Sequence, residues 1–179
     1  MSSQKQRQRG RKAKEASVTR DLRIPNASDW HGYESDLDVR HLHRLFFGKS
    51  IEEVQGYFGE GRSIERMDEL LFAPRPVFQY YVRAFARFLM SKAAIGDSDS
   101  ASPFLSLVEE REKRDPGSVQ NIIHALDETL VFVANNQAYF DAPVSIYGDF
   151  GERVQRIYAT CDAQPIIPPD LSRQATPGR

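Results

Sequence analysis

Four histidines, one cysteine and a few acid–base neighbours are the residues of this 179-residue chain whose types could do chemistry. His124, Asp127 and Glu128 stand at helical spacings of three and four, which would bring two carboxylates within reach of one imidazole, an arrangement able to orient a histidine and raise its pKa. His124 falls opposite the apolar stripe of its segment, so a solvated ion-pair face is the favoured reading. His41 and His43 suggest a metal pair, but on a helix two positions apart they diverge by about 200° and cannot share one ion. They are read as edge positions on either side of an apolar stripe. Cys161 lies on such a stripe, as a small buried thiol would. No catalytic residue and no metal ligand is therefore assigned.

Binding chemistry is more visible than catalysis. Tyr80, Arg83 and Arg87 recur at spacings of three and four along one helical face, where an aromatic ring and two guanidiniums would meet a partner's carboxylates or a phosphate. Given the acidic body, internal pairing with acids such as Asp68, Glu69, Glu109 or Glu110 is the favoured reading. The glycines of GYFGEG (Gly56, Gly59, Gly61) lack the strand-then-helix context of a phosphate loop and read as turns. No cofactor is expected.

Charge is distributed unevenly. The chain has 24 basic and 25 acidic residues, but the first twenty positions hold seven of the former and only Glu15 of the latter, leaving the remainder with 17 against 24. Lys5, Arg7, Arg9, Arg11, Lys12 and Lys14 form the candidate polyanion-binding set, and their affinity would fall steeply with salt. Residues 1–28, without apolar side chains at the required density, read as a disordered basic tail, and residues 164–179, with Pro165, Pro168, Pro169 and Pro177, as a second disordered tail. Residues 29–163 remain as one domain.

Helices must position all these groups. Ser35 or Asp36 caps a segment carrying Leu37, Val39, Leu42, Leu45 and Phe46, stopped by Gly48. Ser50 and Glu53 have capping-box spacing. Ser63 starts a third helix, Pro76 a fourth through Phe85 and Leu89, and Pro103 a fifth after a small-residue loop at 91–102. Ser118 opens the longest, with Ile123, Leu126, Leu130 and Val133 on one stripe, and Phe150 to Cys161 supply the last. Period-two alternation is nearly absent. The expected fold is all-α, a compact bundle of about six or seven helices, with the segments around Phe85 and Leu126 at its centre.

Function follows from this as an expectation only: a non-enzymatic helical protein-interaction module, an adaptor, regulator or inhibitor, with an acidic body and a basic arm. A nucleic-acid-associated protein tethered by that arm, or an enzyme working around His124, are the alternatives. No segment has the length and apolarity to span a bilayer, so no membrane partner is expected. The unpaired cysteine and the missing secretory signature place the chain in the cytoplasm, or the nucleus of a eukaryote. Oligomeric state is left open.

Overall fold

The computed structural model describes residues 23–165, and the N-terminal cations Lys5–Lys14 lie outside them. Among the described residues the fold is all-α, and six helices have ten residues or more: α1 (Leu37–Phe46), α2 (Ser63–Phe72), α3 (Arg75–Leu89), α4 (Ser98–Arg114), α5 (Ile123–Asn135) and α6 (Phe150–Thr160). Single turns at Ile51–Val54 and Val144–Tyr147, with short 3-10 segments, link them.

Local chemistry sets most boundaries. The Asp36 carboxylate accepts from the backbone N–H groups of Asp38 and Val39, satisfying donors that the first turn of α1 leaves open. Ser50 and Glu53 form the reciprocal capping box their spacing implies. Pro76 sits in the first turn of α3, where its missing N–H costs nothing. At the far end of α1, the Tyr81 hydroxyl of α3 donates to the carbonyls of Phe46 (2.6 Å) and Lys49 (3.0 Å), closing that terminus from the core side.

α3 is the central element. Ten of its fifteen residues are buried, including Val77, Tyr81, Phe85 and Phe88, which is what a helix surrounded by neighbours requires. Phe85 stacks on Phe58 at 4.4 Å and meets Phe104 of α4 edge-on at 5.4 Å. Leu126, Leu130 and Val133 bury the inner stripe of α5, and Phe150, Val154, Ile157, Tyr158 and Cys161 that of α6. Ahead of α1, Pro25 and Trp30 are buried, and Arg23 pairs with Asp29 at 2.6 Å across a turn.

Two boundaries differ from expectation. α4 begins at Ser98, so Pro103 lies inside the helix rather than at its start, and the expected loop shrinks to 90–97. In the first turn Ser100 returns both its N–H (3.2 Å) and its hydroxyl (2.8 Å) to Asp97 O, and Ala101 and Pro103 pack inward. α4, at seventeen residues, is also the longest helix. Ser118 does not open α5, which starts at Ile123 after a 3-10 turn at Gln120–Ile122. The buried Glu112 carboxylate causes this, accepting from Gly117 N (2.6 Å), Val119 N (2.7 Å) and Gln120 N (3.0 Å) and so holding that stretch in a turn.

Candidate functional site

α1 and α2 lie side by side and run in opposite directions: His41 meets Glu69, and one turn further along α1, Leu45 faces Arg62, Glu65 and Arg66. Between them is a cleft of about 390 Å³ lined by His41, Leu45, Tyr57, Arg62, Glu65 and Arg66. Val39, Leu42 and Phe46 turn α1's apolar stripe into the core, which leaves its opposite edge, His41 and Leu45, to form one wall. α2 supplies the other wall from a helix that also buries Arg66 and Glu69.

A chain of contacts runs through that wall. His41 Nδ1 is 2.6 Å from Glu69 Oε1, and Glu69 Oε2 is 3.1 Å from the Arg66 guanidinium. Only 3% of the Arg66 side chain and 6% of the Glu69 side chain is exposed, whereas His41 is 42% exposed. Burial raises the Glu69 pKa above its ordinary value, with His41 and Arg66 acting the other way. The second Arg66 contact, Glu65 at 3.1 Å, is 68% exposed. With Nδ1 engaged by Glu69, Nε2 is the imidazole nitrogen left for the cleft: an acceptor when the ring is neutral, a donor when it is protonated.

Of the other lining groups, Tyr57, Arg62 and Arg66 can donate and Glu65 is acidic, while Lys49, outside the lining, reaches the site through Tyr57. Lys49 Nζ donates to the Tyr57 hydroxyl at 3.0 Å while sitting 4.9 Å above that ring. Arg62 reaches the exposed Glu60 at 3.0 Å. This cleft can therefore bind and orient an anionic group.

Neither His41's partner nor the cleft was expected from the sequence. Glu69 is 28 positions from His41, a separation that no helical spacing rule addresses. The divergence of the two histidines was legible, and here it has a use. His43 turns away and stacks on Tyr33 at 3.8 Å, edge-on to Trp30 at 5.0 Å, and burial lowers its pKa against the opposing influence of Glu34.

The expected partner-contact face is arranged differently from its sequence reading. Tyr80 is buried and packs edge-on against Tyr81 at 4.9 Å, because α3 is enclosed on more sides than its apolar stripe implied. Arg87 pairs with Glu52, an acid outside the four candidate partners. Arg83 is half-buried, and burial pulls its pKa down.

The acid–base cluster on α5 is also split. His124 and Glu128 are exposed, while Asp127 is buried and accepts from the Tyr158 hydroxyl at 2.5 Å. Asp127 thus serves the joint between α5 and α6 rather than the imidazole. Cys161 is buried, and burial pushes its thiol up to about 11, far from a reactive thiolate. Comparison with known proteins adds no relative: no family model, no curated protein and no solved structure matches the chain.

Proposed function

We propose that the chain is a non-enzymatic helical protein-interaction module that meets its partner across the α1–α2 face. The observation that carries this reading is the composition of that face. Leu37 stands one turn before His41, and Phe72 three residues after Glu69, so both mark the same end of the antiparallel pair. They are 73% and 40% exposed, large apolar side chains at the surface, with the Arg114 guanidinium of α4 lying 4.4 Å over the Phe72 ring. Apolar area flanking polar, orienting groups is the usual make-up of a contact surface. The helices beneath are tied to the core by Val39, Leu42, Phe46 and Leu70, so the face is presented rigidly.

The test is site-specific photo-crosslinking in cell extract. A crosslinker at position 37 should trap a discrete partner, lost when Phe72 is replaced by Asp, while one at the equally exposed position 146 should not trap it. Identical products from 37 and 146 would defeat the reading.

A second reading rests on the charge contrast between the first twenty residues and the rest, which favours electrostatic tethering to nucleic acid. Gel retardation of the full chain against a variant lacking residues 1–20 decides it; equal retardation removes the idea.

A further inference from the structure

We propose that the α1–α2 cleft is a phosphate-type oxyanion site, which takes the docking reading above one step further by naming the group the partner presents. The argument rests on which donors already have acceptors and which do not. Among the described residues the Arg62 guanidinium pairs with Glu60 alone, and both side chains are more than half exposed, so this pair is weak and readily exchanged for a better acceptor. The Tyr57 hydroxyl accepts from Lys49, which leaves its own proton for another acceptor, and it borders the cleft. Arg66 is fixed beneath by the buried Glu69, so its positive charge borders the cavity without a mobile stem. His41 adds Nε2 from the opposite wall.

Two guanidiniums, a phenol and an imidazole thus border one cavity. A tetrahedral dianion has enough acceptor oxygens to use them together, and guanidinium groups suit its geometry. The cavity, about 390 Å³, is of the size that small-ligand sites take, roughly 300–1,000 Å³. Glu65 is the carboxylate in the way. Being 68% exposed, it is free to rotate into water, and its removal should improve the site. The groups facing Glu69 itself are His41 from α1 and Arg66 from its own helix, with Glu65 contributing repulsion.

The experiment is a residue-resolved NMR titration of the full chain with inorganic phosphate at constant ionic strength, with sodium acetate in parallel. Reading shifts at His41, Leu45, Tyr57 and Arg62 separates the cleft from the N-terminal cations, which also attract phosphate. Saturable shifts at these residues are expected with phosphate and not with acetate. Arg62→Ala should weaken binding about tenfold, and Glu65→Gln should strengthen it about threefold. Lys113→Ala, an exposed lysine paired with Glu110 on α4, should leave it unchanged. Absence of cleft shifts, equal response to acetate, or equal weakening by Lys113→Ala overturns the proposal. If the cleft fails to respond while position 37 still crosslinks a partner, the oxyanion site is lost and the docking face stands.

Discussion

Arg66 and Arg111 are both buried guanidiniums contacting α2, and their surroundings could hardly differ more. Arg111, reaching across from α4, donates to the carbonyls of Leu71 (2.6 Å) and Ala73 (2.9 Å), pairs with Asp115 at 2.9 Å and lies 4.9 Å over the Phe78 ring. Asp115 in turn is clasped by Arg75. The C-terminal carbonyls of α2 need donors, and Arg111 supplies them while its charge is balanced, so that region is closed and structural. Arg66 is balanced by two carboxylates, but one of them is exposed and the other shares its charge with an imidazole at the edge of a cavity. A buried charge enclosed by fixed acceptors holds the fold together. One whose neighbours are mobile or open to solvent is available to something else.

Removing each arginine should expose this contrast most strongly. Arg111→Met leaves two carbonyls and Asp115 short of a donor, and an expected loss of about 3–5 kcal/mol would lower the melting temperature by about 10 °C. Arg66→Met should cost less, about 1–3 kcal/mol, because Glu69 retains His41 and the exposed Glu65 returns to water. Urea denaturation of both variants measures the difference. If Arg66→Met proves the costlier, the cleft is a structural joint and the comparison fails.

Acid should affect the two regions in opposite directions. Asp115 is held below its ordinary value of 3.8, first by the Arg75 hydrogen bond. Its contribution is present above 3.8 and lost as pH falls through the lower native value. Glu69 is raised above its ordinary 4.5 by burial. The native state therefore holds that proton longer than the unfolded chain, and stability from this group is full below 4.5 and lost as pH rises through the native value. Stability–pH profiles of Asp115→Asn and Glu69→Gln should flatten on opposite limbs: the acid limb for the first, the limb above 4.5 for the second. Flattening on the same limb would mean the two carboxylates share one environment.

These two regions also mark how far the sequence could be read. Apolar periodicity placed α1, α3 and α6, and the cap at Asp36 and the box at Ser50 were visible, because all of these depend on neighbours within four residues. The start of α4 was not, since Ser98–Ser102 has the composition of a loop and becomes helix only because Ala101 and Pro103 find a core to pack against. Glu112 turned Ser118–Ile122 out of the expected helix from up to eight residues away. Tyr80 was assigned to the surface because its hydroxyl disguised an enclosed face of α3. The cleft was least legible of all, for it exists only once α1 and α2 are laid against each other.

The smallest effect offers the finest test. Tyr57→Phe keeps the ring that packs against Phe46 at 5.8 Å and lies under Lys49, removing only the hydroxyl. Lys49 keeps its cation–π contact and its access to water, so stability should change by less than about 1 kcal/mol. Phosphate binding at His41 and Arg62 should nonetheless weaken severalfold, because the phenolic proton is one of the donors assigned to the anion. The equivalent deletion at the closed region, Phe78→Leu beneath Arg111, should shift stability and leave phosphate untouched. A Tyr57→Phe variant that binds phosphate as well as the parent chain would remove the phenol from the site and leave the two guanidiniums and the imidazole to account for it.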